Sequence, residues 1–133
     1  MRTNARETAF KILFAYQFNE EFEDTKRTLI AFEELNESDI LYCNKIISSV
    51  IENKEKLTEI IDGHSRLFPE SRLFPADRSI LLIAIAEILY FDDIPSAVSA
   101  NEAANIASKY SSEKSASFIS GIISEIIREQ ENV

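Results

Sequence analysis

This chain offers a catalyst few starting materials: one histidine, one cysteine and two glycines in 133 residues. Nucleophilic catalysis requires Cys43 or a serine beside a histidine, and the sole histidine, His64, falls on the polar face of a short predicted helix. With no second histidine or cysteine to share an ion, His64 does not announce a zinc site, and Cys43 has no internal disulfide partner. Carboxylates such as Glu33, Glu34, Asp92 and Asp93 have the chemistry of an acid and a base. Runs of charge are nevertheless the ordinary mark of a solvated face, and no glycine-built loop accompanies these. Glycines at positions 63 and 121 alone leave no loop to cradle a phosphate. These residues point to a non-enzyme with no metal and no cofactor, at home in a reducing cytoplasm.

Binding chemistry is better represented. Arg2, Arg6 and Lys11 against Glu7 give residues 1–11 a net charge of +2 in a chain whose total is −9. Phosphate contacts dominate sequence-independent nucleic-acid affinity, so the 23 acidic residues against 14 basic ones exclude a general polyanion binder. Charge is screened over about 8 Å at physiological salt, which lets a basic end act locally on an acidic body. Plain solubility explains the same arginines, since exposed ion pairs contribute little. Phe118 sits one residue before an inward face of Ile119, Ile122, Ile123 and Ile126, so it either packs at the edge of that face or offers a ring for stacking. Lys109 and Lys114 read as a solvated helix start or as a continuation of the basic edge. Asp77 and Arg78 read as a helix cap with a surface ion pair. Asn101 and Glu102 are expected to act internally, satisfying groups at a neighbouring helix end.

Apolar residues at intervals of three and four, with no sustained alternation, predict an all-α fold of about seven helices. At this length one compact domain is expected, burying roughly two-thirds of its unfolded surface. The first helix spans about Thr3 to Phe18, with Ala5, Ala9, Ile12 or Leu13, and Tyr16 on one stripe. A second begins near Asp24 and carries Leu29, Ile30, Phe32 and Leu35. A third is capped by Ser38, and a fourth holds Leu57, Ile60 and Ile61. Pro69 and Pro75 bracket a linker in which Leu67, Phe68, Leu73 and Phe74 tuck down as anchors, dividing the domain into helical subdomains of about 1–68 and 76–130. The fifth helix begins after Pro75, and its run from Ser79 to Tyr90 is apolar on nearly every side and should be central, yet it is too short to span a membrane. Pro95 suits the first turn of a sixth helix whose alanines permit close packing, and a seventh starts near Ser112 with Glu113 at its positive end.

The order of these residues resembles one family. Arg2-x-x-Ala5-Arg6-Glu7-x-Ala9 with Leu13 and Gln17, then Tyr42, Ile46-Ile47 and Val50-Ile51, then Asp77-Arg78-Ser79-Ile80-Leu81 with Glu87-Ile88-Leu89 follow the NusB family's pattern. So do Ile94-Pro95, Asn101-Glu102-Ala103-Ala104, Lys114 and Phe118-Ile119-Ser120-Gly121. The resemblance covers essentially the whole chain and is weakest from Glu20 to Glu37. It implies an RNA-binding adapter of transcription antitermination that holds a single-stranded boxA-type RNA together with NusE, a small-subunit ribosomal protein, and tethers that RNA to the elongating polymerase in ribosomal RNA operons. On this resemblance Arg2 and Arg6, with Lys11 added, touch phosphates; Phe14 and Phe118 border the bases; Lys109 and Lys114 extend the positive edge; and Asp77, Arg78 and Glu113 meet the protein partner. Three phosphate contacts imply a salt slope of only about −2 on a single strand.

Two departures bear on affinity: Leu82 stands where family members commonly carry arginine, and Ser120 where they carry asparagine before the glycine. Two other functions compete. A ribosomal RNA cytosine methyltransferase has a NusB-like amino-terminal domain but needs an α/β cofactor domain downstream, and this chain stops at Val133. A helical protein-interaction module, homodimeric and without RNA recognition, would suit the net charge of −9.

Overall fold

The computed structural model describes residues 2–18, 23–65 and 73–132, and among them it forms seven helices and no strand. These are α1 (Thr3–Tyr16), α2 (Glu23–Phe32), α3 (Glu37–Glu52), α4 (Lys54–His64), α5 (Pro75–Tyr90), α6 (Ser96–Tyr110) and α7 (Glu113–Glu131). The all-α expectation holds.

Helix α5 is the axis. Pro75 opens it at a position where a missing N–H costs nothing, and every residue from Ser79 to Glu87 is buried. A helix apolar all round is stable only inside other helices, and α1, α3, α4, α6 and α7 all pack against it. The stripe expected on α1 faces inward, with Phe10 added to Ala5, Ala9, Ile12 and Leu13. Small residues do the same for α6, where Ala103 and Ala107 are buried between α5 and α7. Helix α7 turns Ile119, Ile122, Ile123 and Ile126 into one continuous apolar core.

Local chemistry corrects several boundaries. Asn36, and not Ser38, caps α3: its side-chain oxygen accepts from the Asp39 N–H at 2.8 Å, which places Ser38 inside the first turn. Pro95 precedes α6 as its cap residue. Ser112 does cap α7, accepting from the Ser115 N–H at 3.0 Å. Of the expected linker anchors, Leu73 is buried but Phe74 is exposed, and Leu67, Phe68 and Pro69 lie outside the described residues together with most of the expected subdomain boundary.

One polar cluster interrupts the core. Arg6 is 2% exposed, and its Nε donates to both carboxylate oxygens of Glu87 at 2.9 and 3.1 Å. Its Nη1 donates to Glu102 at 3.0 Å, and Thr3 donates to the same oxygen at 2.7 Å. The Tyr42 hydroxyl donates to Glu87 as well. Burial works against the guanidinium's charge, but Glu87, Tyr42 and Glu102 outweigh it and hold the Arg6 pKa above its ordinary value. Burial and the Glu87 carboxylate likewise raise the Tyr42 hydroxyl. Four helices, α1, α3, α5 and α6, meet at this cluster. Removing one partner leaves a desolvated charge behind, so Glu87→Ala should destabilise the fold by about 3–5 kcal/mol in urea unfolding. A loss below about 1 kcal/mol would show that the cluster is not a keystone.

Candidate nucleic-acid interface

The residues expected to touch RNA do not form one uniform basic patch. Arg6 is the main correction: its guanidinium is consumed by Glu87 and Glu102 inside the protein and presents nothing to a phosphate. Arg2, one turn earlier, is the outward member of the pair. It lies 4.2 Å from the Tyr42 ring centroid and 3.6 Å from Asp93, with a side chain 40% exposed. Lys11 is paired with Glu33 and stands 5.7 Å from the Tyr110 ring; the carboxylate first, against a cost of burial, raises its pKa.

Side chains of α1 bridge to α6 and to the residues just before it, in the same order along both helices. Arg2 meets Asp93 before α6, Thr3 and Arg6 meet Glu102, and Glu7 meets Lys109 and Tyr110 at the end of α6. Lys109 does reach the first helix, but as the partner of Glu7 at 2.7 Å. Tyr110 donates to the same oxygen at 2.7 Å. Burial pushes the Glu7 carboxyl up; the bonds from Lys109 and Tyr110 more than reverse this and hold it below its ordinary value of 4.5.

Aromatic side chains make a row along α1. Phe10 is buried against Tyr110, with centroids 5.1 Å apart; Phe14 lies 6.3 Å from Phe10 and Phe18 lies 5.3 Å from Phe14, edge to face. Exposure rises along the row, from 5% at Phe10 to 38% at Phe14 and 69% at Phe18. Phe18, four residues after Phe14, belongs to this surface although the helix expected to reach it ends at Tyr16. Beyond Tyr110 the chain turns into α7, where Lys114, Phe118 and Gly121 recur at helical spacing on one stripe. Lys114 is exposed, Phe118 is half-buried at the edge of the core, and a Cβ at Gly121 would meet nothing within 4 Å. Packing therefore does not require a glycine there.

The expected protein contacts divide in the same way. Asp77 is buried and accepts from Ser111 at 3.0 Å and Ser115 at 2.9 Å, so it fastens the start of α5 to the α6–α7 turn and presents no carboxylate to a partner. Glu113 is exposed at the first turn of α7, and half-buried Arg78 lines a cavity with Gln17, Lys54 and Leu82. Leu82 is buried in that wall, and Ser120 is half-buried on α7. Glu102 acts internally as expected, whereas Asn101 is exposed. Burial, only partly offset by Lys26, lifts the Cys43 thiol to about 11, which keeps it protonated and unreactive.

Residues 3–128 match the model of the NusB family. The transcription antitermination protein NusB of Natranaerobius thermophilus is 38% identical over 129 residues, covering 94% of this chain and 93% of that protein. Its counterpart in Oceanobacillus iheyensis is 38% identical over 127 residues, covering 95% and 98%. Among solved structures, a NusB of T. maritima superposes with a TM-score of 0.86 at 26% identity over 97% of this chain and 92% of that one. A crystal structure of antitermination factors NusB and NusE in complex with dsRNA gives a TM-score of 0.88 at 22% identity, covering 96% of each chain.

The Glu7 geometry has a pH consequence. A carboxyl whose folded pKa is depressed stabilises the fold fully above its unfolded pKa and loses that contribution as pH falls through the folded one. The stability gap between wild type and Glu7→Gln should therefore be widest near neutrality and close as the pH drops below about 4. An unchanged gap across that range in pH-resolved urea melts would reject the assignment.

Proposed function

The chain belongs to the NusB family, and from that premise we propose that it is a transcription antitermination adapter that binds a single-stranded boxA-type RNA together with the ribosomal protein NusE and holds nascent RNA at the elongating polymerase. In support, relatives at 38% identity over nearly the whole chain are named transcription antitermination proteins, and one solved relative is held with NusE and dsRNA.

The observation that carries this assignment for this chain is the exposure of aromatic rings on α1 together with an uncovered stripe on α7. Phe14 and Phe18 on α1 are exposed rings, and on α7 Lys114 and Gly121 are exposed beside half-buried Phe118, where the fold itself gains nothing from the exposure. A glycine within a helix costs roughly 1 kcal/mol relative to alanine, and close approach of a ligand to the backbone is a physical return on that cost. Stacked bases gain roughly 1–3 kcal/mol each on such rings.

Electrostatics supplies the rest sparingly. Arg2, Lys11 and Lys109 each face a carboxylate, so RNA must compete with Asp93, Glu33 and Glu7 for them. The protein alone then binds RNA weakly, and NusE, a ribosomal protein adapted to anionic RNA, completes the site and meets the acidic body. Arg78 and Glu113 remain as its contacts; Asp77 supports them by anchoring the turn. The setting is the cytoplasm, and no helix among the described residues is long and apolar enough to cross a membrane.

Phe118→Ala should lower the affinity of the NusE complex for boxA RNA by about 10-fold or more, consistent with the loss of one stacked base. Gly121→Ala should raise folding stability by about 0.5–1 kcal/mol while weakening the same RNA complex. The salt slope, measured by electrophoretic mobility at several ionic strengths, should not exceed about −3 for this chain's own share. Full RNA affinity in both variants would remove α7 from the interface, and equal RNA binding with and without NusE would refute the shared site.

A further inference from the structure

The fold assembles a three-ligand group where the end of α4 meets the second half of α7. His64 ends α4, and Glu125 and Glu129 lie one turn apart on the second half of α7, which packs against α4. One ligand atom from each of the three side chains falls within 4.8 Å of the others. The sequence alone argues against a metal because it counts only histidines and cysteines; here carboxylates sixty-odd residues downstream supply the missing donors.

The imidazole is also oriented as a ligand. A carbonyl oxygen only accepts, so Nδ1 carries the proton that bonds to the Ile60 carbonyl at 2.7 Å, in the turn before. That bond fixes the ring and turns Nε2 toward Glu129, its present partner. Metal-bound histidines almost always hold their other nitrogen this way, and the bond lies outside the cluster. The i, i+4 spacing of Glu125 and Glu129 sets both carboxylates on one face of α7.

We propose that His64 Nε2 and the carboxylates of Glu125 and Glu129 form a binding site for a zinc-class divalent transition metal that clamps the end of α4 to α7. Zinc bonds nitrogen and carboxylate oxygen at about 2.0–2.2 Å, so donors in a tetrahedron stand about 3.3 Å apart. The donors lie within 4.8 Å of one another, with Nε2 already 2.5 Å from Glu129, so reaching that spacing takes shifts of at most about 1.5 Å, within the rotation of two glutamate side chains. Water fills the fourth position on the exposed side. A nitrogen and two carboxylates favour zinc, copper or nickel over magnesium, which prefers an all-oxygen octahedron.

Calorimetric titration of the full chain with zinc chloride, and with magnesium chloride as control, tests the site. Zinc should bind one equivalent saturably and raise the melting temperature, and magnesium should do neither. Cobalt(II) should give the intense visible bands of four-coordination. His64→Gln and Glu125→Gln/Glu129→Gln should each weaken zinc at least 10-fold, with helical content unchanged by circular dichroism, while Cys43→Ser should bind zinc as wild type does. Absence of stoichiometric zinc binding, or retention of it in both ligand variants, overturns the site and leaves His64–Glu129 as an ordinary ion pair.

Discussion

The buried guanidinium of Arg6 is the constraint around which the rest is arranged. A charge that deep is tolerable only if nearly all its donors are met, and no single helix can do that. Glu87 comes from α5, Glu102 from α6 and Tyr42 from α3, so the three must stand at fixed depth and rotation around the start of α1. Apolar packing alone is forgiving of small slides between helices; a buried guanidinium divided between carboxylates on two helices is not. The cluster thus sets register in a bundle whose central helix, apolar on all sides, carries little orientational information of its own.

That constraint also decides the surface. With Arg6 drawn inward, the basic end expected on α1 shrinks to Arg2, and Arg2 itself is steadied by the Tyr42 ring above the same cluster. Further along this edge Lys11 of α1 and Lys109 of α6 each have a carboxylate neighbour. An adapter built this way cannot rely on counterion release for affinity. What it has is shape: rings of graded exposure along α1, a capped turn tied to α5 through Asp77, and a bare stretch of α7. Geometry of that kind suits a ligand presented by a second protein better than one captured from solution.

The fold was legible where it rests on local patterns. The all-round apolar run of α5, the prolines before α5 and α6, and the Ser112 cap are visible within a few residues of sequence, and the helices stand where those signals place them. Side-chain roles were legible only in part, because they depend on partners far along the chain. Arg2 and Arg6 are one turn apart on the same helix, so periodicity cannot tell the buried one from the exposed one; the difference lies in Glu87 and Glu102, 81 and 96 residues away from Arg6. Asp77 carries the marks of an ordinary first-turn acid until Ser111 and Ser115 are brought against it. Phe10, Phe14 and Phe18 recur every four residues, but that spacing alone does not tell which of them is buried and which is exposed.

The case of Arg6 bears on how such a surface evolves. A cation on a helix serves phosphate recognition or internal pairing, and the choice is made by where acidic residues appear on neighbouring helices, not by the cation. In this chain the neighbours are rich in carboxylates, and the net charge of −9 is the global trace of that local habit. Each added carboxylate that fixes a lysine or arginine stiffens the bundle and dims its attraction for RNA. Aromatic rings are exempt from that exchange, since no carboxylate neutralises a ring face. Recognition that moves from charge to stacking therefore lets a protein grow acidic without losing its ligand, provided another molecule delivers the phosphate contacts.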